Sequence, residues 1–90
     1  MSEGSVTVTV KYLVDLADKT GRRSEQVILS LGSSLSDLTE WLEREREIAV
    51  PDPRIMTVLN GKGWDQYPEK MHTKLKNGDV VLLFPPISGG

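Results

Sequence analysis

Apolar residues at Val6, Val8, Val10 and Tyr12 alternate with Ser5, Thr7, Thr9 and Lys11, the period of a strand with one buried face. From Glu25 to Leu31 the same period puts Val27, Leu29 and Leu31 on one side and predicts a second strand. Between them, Leu13 to Ala17 leads into Asp18-Lys19-Thr20-Gly21-Arg22-Arg23. That polar, glycine-containing group suits a connection, so the two strands form an antiparallel hairpin with a loop longer than a tight turn.

The period then changes. Gly32-Ser33-Ser34 breaks the second strand, and Ser34 with Asp37 has the spacing of a capping box. At 3.6 residues per turn, Leu35, Leu38, Trp41, Leu42, Ile48 and Ala49 share one broad face, while Glu40, Glu43, Arg44 and Glu47 fall mostly outside it. A helix that covers a sheet is the reading. Pro51-Asp52-Pro53 ends it and turns the chain back. Arg54 to Asn60 is the third strand, with Ile55, Thr57 and Leu59 on one side and Met56 and Val58 on the other. Asn60-Gly61-Lys62-Gly63 predicts a sharp reversal and Trp64 to Tyr67 a short fourth strand. Pro68 to Lys76 shows no regular pattern, with Met71 and Leu75 reaching the core, and Lys76-Asn77-Gly78-Asp79 is a turn.

Val80 to Phe84 is an unbroken apolar run, short enough for one strand in mid-sheet with both faces covered. Pro85 and Pro86 stop its ladder because neither donates a backbone hydrogen bond, and both hold φ near the polyproline value. Ile87, Ser88, Gly89 and Gly90 follow. The two glycines let a terminal carboxylate pass an opening too narrow for any Cβ. At full extension the six residues after Phe84 reach about 20 Å. The chain therefore divides into a body, residues 1–86, and a flexible C-terminal tail, residues 87–90.

Strand, strand, helix, strand, short strand, strand within 90 residues allows few compact arrangements. A buried last strand belongs beside the first. With a hairpin and one crossing helix that pairing is parallel, which gives an α+β ubiquitin-like β-grasp: a mixed sheet of four to five strands with one main helix packed across it.

Composition narrows the chemistry. A charged fraction of 27% and a hydrophobic fraction of 38% are those of a soluble domain, and a net charge of −2 provides no field for nucleic acid. No run has the length of a membrane span, and Met1-Ser2-Glu3-Gly4 lacks the regions of a signal peptide; the expected location is cytoplasmic. The absence of cysteine excludes disulfides, a thiolate nucleophile and a thiolate metal site. His72 stands alone in a polar loop, with no second ligand at metal spacing, so neither a metal nor a bound cofactor is expected. Gly61-Lys62-Gly63 lacks the spacing of a phosphate loop and reads as a turn. Glu43 to Glu47 reads as the wet face of the helix, and Tyr12 and Trp41 as core.

Tyr12 to Gly21, Leu59-Asn60-Gly61, Leu75 to Val81 and the ending Phe84-Pro85-Pro86-Ile87-Ser88-Gly89-Gly90 together resemble the sulfur carriers of molybdopterin synthesis, the MoaD/ThiS family. The ending is the most specific part and is similar to that of the small subunit of molybdopterin synthase. Ala17 and Asp18 stand where many members carry an Arg-Glu pair. The resemblance implies a chain without catalytic side chains of its own. An E1-like adenylating enzyme would use ATP to form an acyl-adenylate on Gly90, and a sulfur donor enzyme would convert it to a covalent thiocarboxylate. Ile87, Ser88, Gly89 and Gly90 would enter the active site of the large synthase subunit, with Phe84, Pro85, Pro86 and Leu13 as stem and docking residues. Two other readings share the visible features: a ubiquitin-like modifier conjugated to lysines through Gly90, and a plain β-grasp interaction module with an inert tail. Carriers for other sulfur acceptors belong with the first reading.

Overall fold

The computed structural model describes residues 4–86. Its five strands form one mixed sheet in the order β2-β1-β5-β3-β4. β1 (Ser5–Tyr12) pairs antiparallel with β2 (Ser24–Ser30) and parallel with β5 (Val80–Phe84), while β5 pairs antiparallel with β3 (Met56–Leu59). The β-grasp arrangement, with the last strand beside the first, is the one the element order requires.

Two polar devices seat β5 between its two neighbours, β3 and β1. In the turn before β5 the Asp79 carboxylate accepts the Lys76 N–H at 2.7 Å and the Asn60 side-chain amide at 3.0 Å, while the Asn60 side-chain oxygen accepts the Val80 N–H at 2.9 Å. Gly78 N–H donates to the Thr7 carbonyl at 2.8 Å, and Thr7 N–H to the Asn77 side chain at 2.8 Å. Each bond satisfies a polar donor in or beside the turn that leads into β5. The first sets β5 against the end of β3, and the second sets it against β1.

Leu35, Leu38 and Leu42 of the main helix, α2 (Leu35–Arg46), are fully buried against Val8, Val10, Val81 and Leu83 of the sheet. The Asp37 carboxylate accepts the Ser34 backbone N–H at 2.8 Å, the capping-box contact the spacing predicts. The helix ends sooner than its apolar face suggests. Glu47 takes a left-handed conformation (φ 57, ψ 36), and the Ile48 N–H turns back to the Leu42 carbonyl at 3.2 Å. Ile48 is buried in this way, but Ala49 lies outside the helix and is exposed. Periodicity alone could not find that end, because a glutamate stands where glycine usually marks it.

Three further departures have local causes. The β1–β2 connection contains a short helix, α1 (Asp15–Thr20), anchored by buried Leu16 and closed by Gly21 at φ 77. Six residues with one buried side chain carry too little periodicity to be seen. Asn60 and Gly61 both have positive φ (51 and 85), so the reversal needs only two residues and β4 falls at Lys62–Gly63, paired with Leu59 and Val58. Trp64 to Tyr67, read as the fourth strand, instead holds a 3-10 turn, Trp64–Gln66, that buries Trp64. Lastly, Leu31 lies beyond the end of β2 and is 65% exposed, instead of sharing the buried face of Val27.

Candidate functional site at the root of the stem

β5 leaves the sheet from its middle. On one side the parallel ladder runs from Thr9↔Val80 to Tyr12↔Leu83, and the Leu13 N–H adds a bond to the Leu83 carbonyl at 3.0 Å. On the other side the last antiparallel pair is Met56↔Phe84. Beyond Phe84 come Pro85, half-buried, and Pro86, exposed. Without N–H groups they cannot extend either ladder. The chain thus leaves between the end of β1 and the start of β3, with Leu13 and Met56 as neighbours. Ile87, Ser88, Gly89 and Gly90 lie outside the described residues.

Successive side chains of β5 face opposite ways. Val81 and Leu83 point to α2 and are fully buried, whereas Val80, Leu82 and Phe84 are half-buried. The expectation that both faces of this strand are covered is therefore corrected. α2 lies over one face only, and the side chains of adjoining strands shade the other. In the register, Leu82 lies between Lys11 and Val58, and Phe84 lies beside Met56, which is 45% exposed. Phe84 thus belongs to an apolar patch of Met56, Val58, Leu82 and Phe84, on the sheet face opposite the helix and at the root of the stem. Sequence reasoning singled out Phe84 and missed the other three. The usable signal was the unbroken run Val80–Phe84 itself, since a single helix covers only one side of such a strand.

Leu13 is 38% exposed and Val14 is 74% exposed, just past the end of β1. Val14 has φ 59 and ψ −131, a region that a β-branched residue adopts only under steric strain. In the turn that leads to β3, Arg54 donates through its guanidinium and backbone N–H to the Asp52 carboxylate. These bonds hold the Asp52 carboxyl below its ordinary range. Among the described residues, no group of three His, Cys, Asp or Glu side chains is placed to hold a metal ion, and no helix is long and apolar enough to cross a membrane. What the site offers is an apolar surface beside the point where the chain leaves the sheet.

A five-stranded mixed sheet with a parallel β1–β5 pair and one covering helix defines the ubiquitin-like β-grasp class. Residues 10–90 match the ThiS family, and the chain belongs to that family of ubiquitin-fold sulfur carriers. It is similar to the putative molybdopterin converting factor subunit 1 from Pyrococcus furiosus, at 28% identity and a TM-score of 0.76 over 92% of this chain and 100% of that one. Small archaeal modifier protein 1 from Methanosarcina acetivorans has 20% identity and a TM-score of 0.77, with 97% and 99% covered. The complex of subunits 1 and 2 of molybdopterin-converting factor from Helicobacter pylori includes a chain with 22% identity and a TM-score of 0.62, with 94% and 100% covered. At these last two identities the likeness is one of fold. No curated protein matches the sequence significantly.

Proposed function

We propose that this chain is the sulfur-carrying small subunit of a molybdopterin synthase. The observation that carries the reading is the exit of the central strand through Pro85 and Pro86 beside the apolar patch of Phe84, Leu82, Met56 and Val58. A partner can grip the patch while the slender end reaches its active site. The likeness to the Pyrococcus furiosus subunit and the ending Phe84-Pro85-Pro86-Ile87-Ser88-Gly89-Gly90 support the molybdopterin branch of the family. The Helicobacter pylori complex supports a large subunit as partner.

A carboxylate is a poor electrophile because its charge is delocalised and its leaving group is oxide. Activation therefore comes first. In the proposed cycle a Gly90 carboxylate oxygen attacks the α-phosphorus of ATP on an E1-like enzyme, pyrophosphate leaves, and an acyl-adenylate forms. Sulfur delivered by a donor enzyme at the sulfide level then attacks the acyl carbon and expels AMP. The resulting thiocarboxylate is a soft nucleophile, which the large subunit directs onto the pterin precursor. Gly89 and Gly90 are the threading residues, and Ile87 and Ser88 join them to the stem.

The likeness to the archaeal modifier supports a second reading, in which a lysine amine captures the same adenylate to give an isopeptide bond. The intact mass of the protein from native cells separates the two. An increase equal to the difference between sulfur and oxygen supports the carrier, whereas conjugates of much higher mass overturn it in favour of the modifier. An unchanged mass in every condition overturns both.

A further inference from the structure

β2 is the outermost strand on the side of the sheet away from β3. The Tyr12 N–H donates to the Arg23 carbonyl at 2.7 Å and the Leu31 N–H to the Gly4 carbonyl at 3.4 Å. With the register Ser5↔Ser30 to Lys11↔Ser24, these bonds fix the parity of the ladder. Odd-numbered residues of β2 turn their backbone groups to β1, and even-numbered residues turn theirs outward. Among the described residues, the outward N–H and C=O of Gln26 and Ile28 meet no partner within the chain.

Proteins commonly protect such an edge with proline, lysine or a bulge. This one shows an isoleucine that is 69% exposed, followed by exposed Leu31. Beside the edge runs a groove lined by Leu29 of β2 and by Asp37, Glu40, Trp41 and Arg44, which share one side of α2. Arg44 is paired with Glu45 at 3.2 Å and Asp37 is held by Ser34. Glu40 has no ion pair among the described residues, so the groove presents uncommitted negative charge.

We propose that this edge receives an extended segment of a partner protein as a sixth strand, with apolar side chains alternating with lysine or arginine. Strand alternation decides the chemistry. Side chains on one face of the added strand would lie beside Ile28, where apolar residues fit. Those on the other face would lie over Leu29 and Trp41 within reach of Glu40, where a long aliphatic stem with a cationic head fits. A second copy of this chain fits worse, because its own β2, Ser24-Glu25-Gln26-Val27-Ile28-Leu29-Ser30, brings an acid and no cation to the acidic side of α2. Since β1 separates this edge from β5, the segment and a partner on the stem can bind together.

The probe is a six-residue peptide of alternating valine and lysine, blocked at both ends and titrated into the full chain. Slowed amide exchange at Gln26 and Ile28, with shifts at Glu40 and Trp41, is the expected result. Ile28→Pro removes an outward donor together with the exposed isoleucine side chain and is tolerated at an edge, so it should keep the fold and weaken binding about tenfold or more, an energy of about 1.4 kcal/mol. Should that variant unfold, Glu40→Lys on the exposed side of α2 serves instead, with the same expected loss. A peptide with glutamate in place of lysine should bind comparably weakly. Protection centred on Met56, Leu82 and Phe84 would overturn the proposal, as would unchanged affinity in the folded variants. Concentration-dependent protection of Gln26 and Ile28 without peptide would overturn it in favour of self-pairing.

Discussion

The Tyr12 hydroxyl donates to the Glu25 carboxylate at 2.5 Å, across the β1–β2 pair, and the same carboxylate receives the Arg46 guanidinium from the last turn of α2. Arg22 adds a third donor at 3.0 Å, and Arg46 also lies 5.0 Å from the centre of the Trp41 ring. One acid thus joins both hairpin strands and the end of the helix. The hydrogen bonds from Arg46, then that from Tyr12 and the charges of Arg46 and Arg22, hold Glu25 below its ordinary range against the cost of burial. Burial first, and then Glu25, push the Tyr12 hydroxyl up.

The sign of the pH dependence follows. A depressed folded-state pKa contributes stability that is complete above the unfolded value, about 4.3 for glutamate, and is lost as pH falls through the folded value. For Tyr12 the shift is upward, so its contribution is complete below the ordinary tyrosine value of about 10 and declines at higher pH. Urea denaturation at a series of pH values should show an acid limb that is shallower in Glu25→Gln. At pH 7 that variant should lose about 1.5 to 3 kcal/mol, the range for hydrogen bonds to a charged group. An acid limb identical to that of the native chain would remove Glu25 from this role.

Phe84 separates binding from stability. Because it is half-buried on the open face beside Met56, Phe84→Ala should cost less stability than the 3 to 5 kcal/mol of a fully buried phenylalanine, about 1 kcal/mol. Its affinity for the proposed activating enzyme should fall by about 1 to 3 kcal/mol. Melting and calorimetric binding, measured on the same preparation, give both numbers. A large drop in melting temperature with intact affinity would make Phe84 a structural residue alone.

The proposed chemistry at Gly90 predicts intolerance of length. Deleting Gly90, or adding one residue after it, should abolish adenylation measured by pyrophosphate exchange, with no change in melting temperature. Normal exchange by either variant would place the reactive group elsewhere.

Pro85 and Pro86 should matter through entropy. Their φ angles are restricted before binding, so ordering them costs less than the roughly 1 to 2 kcal/mol per residue of an ordinary backbone. Replacing both with glycine should weaken association with the proposed activating enzyme by about 1 to 2 kcal/mol. Melting of the body should move little. Equal affinity for the glycine stem would show that stiffness has no part in docking.

Residues whose neighbours in space are also neighbours in sequence, or repeat at a regular period, were legible. Val6 to Tyr12, Leu35 to Leu42, the Ser34–Asp37 cap and Val80 to Phe84 all announce their elements, and their order forces the parallel β1–β5 pair. Hidden from that reading were features decided by single residues against type. Glu47 ends α2 in a conformation usual for glycine, Val14 enters α1 at positive φ, and Leu16 alone anchors that helix. At the candidate site, Phe84 and Leu13 were marked by the family resemblance together with their positions beside the stem. Met56, Val58 and Leu82 escaped notice because a strand pattern says which residues share a face and not which face a lone helix leaves bare.

The pairing of β1 with β5 joins residues about seventy positions apart, Thr9 with Val80 and Tyr12 with Leu83. Such a closure is slow relative to local contacts, since the loop entropy is spent before the ladder repays it. On the ribosome, β1 must wait, with one edge unpaired, until Val80–Phe84 has been made and has cleared the exit tunnel. Premature release at any point before the last strand leaves a sheet without its centre, open to quality control. A complete sheet therefore arises only on chains translated as far as Phe84.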